Sequence, residues 1–483
     1  MMIYDVAIIG AGVVGAMVAR ELTRQGQSVI LLEKASDVAT GASRANSGIV
    51  HAGFDAKENS LKAKFNVAGA NMMASLCREM GVAYVQNGSL VVGFDQEDQQ
   101  TLEGLLKRGV ENGVTGLALL SGDEVRALEP SLSEDVTCAL LAPTGGIVCP
   151  YELTIAAVGV AMYNGAELKT NFAVSSITEE GGVWHLSNGE ETVCATYVVN
   201  CAGTHSDDIA RMIGDDRITI TPRRGEYILL DRACEGLVSR TIFMAPGKMG
   251  KGVLVSPTCH GNIIVGPTAV NMEEKDNTST TAEGLAEVRR LAQKSVKDIP
   301  FGRGITIFCG IRAVGNTGDF IIECPRPRFV HCAGIESPGL SASPAIALYV
   351  AQLLQKEGAV LSIRADFDPH YTPAVHFRHL SDEEKNDIIA RDPRYGRVIC
   401  RCETVTEGEI VQTLHQLPIP RDLDALKRRT RCGMGRCQGG FCTPYVTEIM
   451  ARELGVDELS LTKSGGDSPL LLAATKTAKG GTK

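Results

Sequence analysis

Hydrophobic and polar positions follow two rhythms along this chain, and the first change of rhythm comes within its first turns. Tyr4-Asp5-Val6-Ala7-Ile8-Ile9 is an apolar, β-branched run that stops at Gly10, as a strand buried on both faces would. From Val13 to Gln25 the apolar residues fall at helical spacing, and a second apolar run follows from Ser28 to Leu32. Leu61 to Met80 predicts another helix. Ser121-Gly122-Asp123-Glu124 has capping-box spacing before a short helix ended by Pro130. Between Glu167 and Val199 the pattern turns to short strands with a turn signal at Asn188-Gly189, which predicts an antiparallel layer. Apolar strands ending in small residues recur at Thr196 to Gly203, Asn262 to Pro267 and Phe329 to Gly334. The last leads through Ser337-Pro338-Gly339-Leu340 into an alanine-rich helix reaching about Leu354.

The first strand–helix–strand unit has a chemical reading. Gly10 permits a tight turn, Gly12 lets backbone approach a pyrophosphate, and Gly15 lets the helix pack close to the strand. The helix N-terminus offers unpaired N–H groups and partial positive charge to phosphates. Glu33, ending the second strand, is placed to accept from ribose hydroxyls. Repeated returns to one ligand site, spread over most of the chain, suit a large dinucleotide whose domain is interrupted by insertions. FAD fits this better than a nicotinamide cofactor held by one compact unit.

The expected cofactor contacts are Gly10, Gly12, Val13, Val14 and Gly15 at the first turn, and Glu33 with Lys34 after the second strand. Ser43, Asn46, Ser47, Gly48 and His51 follow in the glycine-spaced loop Thr40 to Gly53. Ala202 and Gly203 lie at a later strand end, and Gly334, Ser337, Pro338, Gly339 and Leu340 at the last turn.

Composition narrows the class. The 483 residues allow two or three domains, and 44% apolar with 22% charged residues describe an ordinary globular chain. A net charge of −9 argues against nucleic acid as a general partner. No apolar run reaches about 18 residues, so no membrane-spanning helix is expected, and the early fingerprint leaves no room for a signal peptide. Fifteen cysteines without a secretion signal point to free thiols or metal in a cytoplasmic protein.

Cys400-Arg401-Cys402 is followed, after 34 residues, by Cys437-Gln438-Gly439-Gly440-Phe441-Cys442. Two thiolate pairs can bind zinc or a [2Fe–2S] cluster. Gaps of one and four residues depart from zinc ribbons and favour iron. Gly433, Gly435, Gly439 and Gly440 would let N–H groups point at sulfur. Cys432 stays open as a ligand. Lys427 to Arg431 reads either as a solvated helix face or as charge that offsets the cluster or docks an electron-transfer partner.

His51 has three open roles: base for a hydroxyl proton, covalent flavin attachment, or hydrogen-bonded wall. His260 and His331 are further candidates, more in keeping with structural roles. Arg312, after an apolar strand, suits a phosphate or carboxylate, with Arg224 or Lys251 in support; a plain salt bridge is the alternative. Lys248 lies in the same glycine-flanked loop as Lys251.

With these residues in view, the chain resembles the FAD-dependent family of glycine and D-amino-acid oxidases, from Asp5 to about Met450. Within it the likeness is greatest to the short-form catalytic subunits of anaerobic glycerol-3-phosphate dehydrogenases. Gly10 to Gly15, Ala45 to Ala56, Arg224-Gly225-Glu226-Tyr227, Lys251-Gly252-Val253-Leu254-Val255 and Gly334 to Leu340 carry it. Thr430 to Gly439 resembles the [2Fe–2S] module of the bacterioferritin-associated ferredoxins. That pattern puts the ligands on Cys400, Cys402, Cys437 and Cys442 and leaves Cys432 outside.

The resemblance implies oxidation of a secondary alcohol by hydride transfer to flavin, with electrons leaving through iron–sulfur to a partner subunit or flavoprotein. A protein peripheral to the inner face of a membrane through that partner fits as well. Ser47 to Gly53, Ser60-Leu61-Lys62-Ala63 and Arg224 to Tyr227 also resemble L-2-hydroxyglutarate dehydrogenases, which usually lack the cysteine module. Oxidation of a 2-hydroxy acid, amine or imino acid is therefore an alternative, and a non-catalytic electron-transfer subunit is another.

The expected fold is α/β. A Rossmann-type FAD-binding part (about 1–80, 145–215 and 325–360) is interrupted by an antiparallel-sheet substrate part (about 81–144 and 216–324). A linker at 361–396, a small helical [2Fe–2S] module at 397–454 and a tail at 455–483, mobile or loosely docked from Ser464 onward, complete the chain.

Overall fold

A computed structural model describes residues 2–247 and 252–475. The chain divides into two compact units, Met1–Glu33 with Ala39–Thr372, and Lys34–Val38 with Pro373–Lys483.

The first unit is built on two large sheets. In one, five parallel strands run in the order Phe329–Ala333, Thr192–Asn200, Ile3–Ile9, Val29–Leu32, Glu167–Lys169. The central strands are apolar along their length because helices cover them, and Val29–Leu32 is buried at every position. The hairpin Ser176–Glu180/Val183–Ser187 adds antiparallel strands at the edge. Its link to Thr192–Asn200 turns at Asn188-Gly189, where Gly189 has a φ of +96° and Asn188 Oδ1 accepts from Glu190 and Glu191. The helices Val13–Arg24, Leu61–Glu79 and Gly339–Lys356 fall close to their expected limits.

The second sheet has nine strands, drawn from residues 89–142 and 220–315. It is antiparallel except that Thr241–Met244 runs parallel to Ser89–Gly93. Ile220–Leu230 is its spine and pairs with Gly304–Gly315 along nearly its whole length. Side-chain alternation divides the core. Ile228, Leu230, Ile242 and Val255 face the helix Ala282–Ser295, whereas Tyr227, Phe243, Leu254 and Ile264 face Ile49 and Ala52 of the glycine-spaced loop and Phe54 just after it.

The second unit holds the short hairpin Val398–Cys400/Val405–Thr406 and the helices Glu407–Leu414, Leu423–Thr430 and Thr443–Leu454 around Ile399, Ile410, Leu426 and Met450. Two differences from expectation have physical causes. Residues 361–396 are more than a linker: Ser381 and Glu384 form a capping box for the helix Asp382–Arg391, and Phe377 and Tyr395 are buried. The tail is docked over part of its length, because Leu461 packs into the core of this unit. Residues 476–483 lie outside the described residues.

Candidate functional site: a glycine cradle and a thiol cluster

The C-terminal ends of the parallel strands converge on one edge of the first sheet, where open α/β sheets bind ligands. Gly10 has a φ of +99°, and a Cβ there would lie 2.6 Å from the Cys201 carbonyl oxygen. A Cβ on Gly15 would fall on the Gly10 carbonyl. Glycine is therefore required at both positions for strand, turn and helix to meet. The helix Val13–Arg24 has no side-chain cap; the Val13 N–H donates to Ser43 Oγ at 2.9 Å. Glu33 is buried, and its Oε2 accepts from the Ala11 N–H at 2.8 Å, which fixes the carboxylate at the rim of the cradle. The helix Gly339–Lys356 also starts without a side-chain cap, after Gly334 at φ +62°. Two helix N-termini with open donors beside close-packed glycines fit the pyrophosphate of a dinucleotide.

The loop Thr40 to Gly53 lies between the two sheets. Asn46 shapes it from within, donating to the Ala42 and Ser43 carbonyls and accepting from the Gly48 N–H at 2.8 Å. A Cβ on Gly310 would strike the Ala45 carbonyl, so this glycine lets the loop lie against strand Gly304–Gly315. The contact brings Ser47 to Tyr227, which also feels the Arg312 charge. The Tyr227 phenol is buried, which raises its pKa, against the opposing effects of the Arg312 charge and a hydrogen bond with Ser47. Arg312 Nη2 donates to the Thr268 carbonyl at 2.5 Å, and a Cβ on Gly225 would crowd the guanidinium at 2.8 Å. His51 closes the other end. Its N–H donates to Ser341 Oγ at 2.8 Å, its Nε2 lies 3.2 Å from Ser337 Oγ, and its ring stacks on Phe243 at 5.7 Å.

One expectation is corrected by strand register. Arg223 stands opposite Arg312, and Arg224 opposite Ile311. Alternation turns Arg224 to the other face of the sheet, beside Cys309, whose thiol it hydrogen-bonds. Arg223, not Arg224, shares the face of Arg312, and its Nε donates to Asn271 Oδ1 at 2.7 Å. Glu226 is likewise structural: its carboxylate accepts from Thr281 at the start of the helix Ala282–Ser295. Lys248 and Lys251 lie outside the described residues. Lys34 is exposed and belongs to the second unit. His331 is fully buried against Asn200 and Asp215, and burial pushes its pKa down to about 4. From sequence, Arg224 is preferred to its neighbour Arg223, and Tyr227 and Phe243 carry no site role. The alternation of Arg223, Gly225 and Tyr227 against Arg312 was the available signal.

In the second unit five cysteine sulfurs come together. Those of Cys400, Cys432 and Cys442 lie within 4.8 Å of one another, and Cys402 Sγ is 3.6 Å from Cys437 Sγ. A Cβ on Gly435 would overlap the Cys402 side chain, so the glycine permits this approach. Hydrogen bonds from Cys432 and Cys442 hold the Cys400 thiol well below the usual thiol range, against burial. Burial raises Cys437, yet the Cys402 thiol and the N–H groups of Gly439, Phe441 and Gly440 bring it down. Clustered thiols with converging N–H donors are a donor set for iron–sulfur. Cys432 stands among them, closer to Cys400 and Cys442 than its place outside the resemblance pattern suggested.

The basic run before these cysteines is neither solvated nor available for docking at its arginines. Arg428 and Arg429 are buried against Asp37 at 2.5 and 2.8 Å, and Arg431 against Glu403 at 3.0 Å. Among the described residues, no helix is long and apolar enough to cross a membrane.

Comparison with known proteins agrees with both sites. Residues 5–353 match the family described as DAO, FAD dependent oxidoreductase, and residues 398–452 match the BFD-like [2Fe-2S] binding domain. A glycerol 3-phosphate dehydrogenase from Caloramator mitchellensis is 44% identical over 98% of this chain and 99% of its own. The human mitochondrial L-2-hydroxyglutarate dehydrogenase is 34% identical over 55% of this chain and 61% of its own. The L-α-glycerophosphate oxidase of Mycoplasma pneumoniae, solved dithionite-reduced with FAD bound, is 29% identical and superposes with a TM-score of 0.74. That match covers 78% of this chain and 100% of the other. The chain is a member of the DAO family of FAD-dependent oxidoreductases, with a BFD-like [2Fe–2S] domain at its C-terminal end.

Proposed function

We propose that the protein oxidises sn-glycerol 3-phosphate to dihydroxyacetone phosphate and releases the electrons through its [2Fe–2S] cluster to a partner subunit or flavoprotein. The observation that supports this is a cation and a base about one loop: Arg312 near Tyr227, whose phenol hydrogen-bonds Ser47, and His51 four residues further along the chain. A small substrate with an anionic end and a secondary alcohol has a use for both. The relatives named for glycerol 3-phosphate support this choice, one of them along almost the whole chain.

In this reading Arg312 binds the phosphate dianion, its planar fork held by the Thr268 carbonyl and given room by Gly225. Arg223 adds positive charge from the same face. His51 Nε2 takes the proton of the substrate hydroxyl, which replaces the Ser337 hydroxyl that lies 3.2 Å from that nitrogen, while Phe243 holds the plane of the ring. The cradle residues Gly10, Gly12, Gly15 and Glu33, with the turn Gly334 to Leu340, hold FAD, which supplies the acceptor for the hydride. Cys400, Cys402, Cys437 and Cys442 hold the cluster, with Cys432 contributing an S–H donor beside it.

Anaerobic mixing tests the substrate. Glycerol 3-phosphate should bleach the flavin rapidly, whereas L-2-hydroxyglutarate and imino acids should not. Rapid bleaching by 2-hydroxyglutarate alone would move the assignment to the 2-hydroxy acids, and no bleaching by any of them would make this an electron-transfer subunit. Replacing His51 with Ala should slow bleaching by about two to four orders of magnitude.

A further inference from the structure

Away from both sites, a second group of metal-ligating side chains lies inside the first unit. Cys149 and Glu152 belong to the first turn of the helix Pro150–Tyr163, and His260 to the turn between strands Leu254–Pro257 and Ile263–Gly266. One sulfur, one carboxylate oxygen and one imidazole nitrogen from these residues all lie within 4.8 Å of one another. We propose that Cys149, Glu152 and His260 form a binding site for one zinc-like divalent ion, with Cys259 at hand as a fourth donor.

Three features support it. The first is preorganisation. Three residues apart at a helix start, Cys149 and Glu152 point from one face, and Pro150 sets that first turn. The turn carrying His260 is held by its own bonds: Thr258 N–H to the Asn262 carbonyl at 2.9 Å, Gly261 N–H to the Thr258 carbonyl at 3.1 Å, and Asn262 Nδ2 to the Leu230 carbonyl at 2.9 Å. Nothing must fold around the ion to assemble the donors.

The second is direction. His260 Nε2 and Glu152 Oε1 are 2.9 Å apart, the separation of an ion pair, yet His260 Nε2 makes no hydrogen bond among the described residues. The short distance and the missing bond agree if the two atoms aim beside each other rather than at each other. Two ligands of one ion do this, since metal–donor bonds of about 2.0–2.3 Å set tetrahedral donors roughly 3–4 Å apart.

The third is chemistry. The site is largely shielded from water, with side-chain exposure of 16% for Glu152 and 10% for His260. Thiolate, imidazole and carboxylate together select zinc or cobalt over magnesium or calcium, which want oxygen alone. Burial and the Glu152 charge hold Cys149 as a thiol, and the Glu152 N–H points at its Sγ, a contact that would favour the thiolate once a cation offsets them. The Cys259 thiol lies close enough to meet the Cys149 N–H. Such an ion would join the helix Pro150–Tyr163 to the strand turn at His260. It would also sit one residue from Val148, whose N–H donates to Gly48 in the loop that carries His51.

The test uses the full chain loaded with flavin and cluster. After chelation of loosely held metal, the protein is dialysed against buffered Zn²⁺ and analysed for zinc and iron; Co²⁺ then replaces Zn²⁺ as a spectroscopic probe. Wild-type protein should retain about one zinc per chain, and its Co²⁺ form should show the intense d–d bands of a tetrahedral site with thiolate. His260→Gln and Cys149→Ser should each weaken zinc binding by about tenfold or more, with iron and flavin contents unchanged. Cys437→Ser should leave this zinc in place. The proposal fails if wild-type protein retains no zinc, or if His260→Gln binds as much as wild type. It fails equally if the bound zinc disappears with Cys437→Ser, which would assign it to the cluster cysteines. Should Cys149→Ser fold poorly, the wild-type titration and His260→Gln decide alone.

Discussion

The cradle and the thiol cluster are built on opposite plans. In the cradle the decisive residues are those without side chains. Gly10, Gly15 and Gly310 matter because a Cβ would occupy space already filled by the carbonyls of Cys201, Gly10 and Ala45. In the cluster the decisive residues are side chains brought together, five sulfurs from two stretches of chain, and the glycines around them only allow the approach. One site is therefore broken by adding an atom and the other by removing one. Their charged surroundings differ as well. The Arg312 guanidinium rests on a backbone carbonyl, whereas Arg428 and Arg429 share the Asp37 carboxylate.

Removal should give the largest effect. Cys437→Ser should abolish the visible absorption of the cluster and its EPR signal after reduction, and flavin content should stay at wild-type level. Cys432→Ser sharpens the contrast, since it should keep the cluster; if it loses the cluster as completely as Cys437→Ser does, the four-ligand assignment is wrong. Next comes Asp37→Ala. It strands two buried arginines and should cost the second unit about 3–5 kcal/mol in denaturant unfolding followed by cluster absorption. Addition should weigh somewhat less. Gly15→Ala should weaken FAD binding by about 3 kcal/mol, roughly a hundredfold, measured as flavin retained after gel filtration, with iron content unaffected.

The effect that is smallest at any one step concerns acidity, because it accrues gradually with pH. Burial pushes the Glu409 carboxyl up to about 7, against the capping contacts it makes with Thr406. The folded state then holds this proton more tightly than the unfolded chain. The stabilisation is complete below the ordinary carboxyl value and is lost as pH rises towards 7, by at most about 1.4 kcal/mol per pH unit. Glu409→Gln should flatten the stability profile of the second unit between about pH 4.5 and 7.

Much of this was legible in the sequence, and unevenly so. Local spacing fixes local geometry, so the turn at Gly10 to Gly15, the limits of Val13–Arg24 and the capping box at Ser121 could be read directly. The cysteine pairs announced a cluster by their spacing. What spacing cannot give is which distant residue turns up beside a motif. Asp37 lies 391 residues before Arg428, and no local pattern couples them. The burial of Phe377 and Leu461 likewise depends on partners elsewhere in the second unit, so one stretch reads as a linker and the other as part of a tail. Arg224 failed for a different reason: the chemistry of the residue type was sound, but the face it occupies follows from register with Gly304–Gly315.

The strand that carries Arg223 to Tyr227 also has a genetic consequence. Odd positions there look towards the loop with Ser47, while Glu226 holds the start of the helix Ala282–Ser295 on the far side. Saturation mutagenesis across these five codons should return a period-two phenotype. Changes at 223, 225 and 227 would appear as kinetic defects in well-expressed protein, and changes at 224 and 226 as poor yield with near-normal turnover per folded molecule. Along such a strand, neighbouring codons are under separate selection, one row for chemistry and the other for solubility.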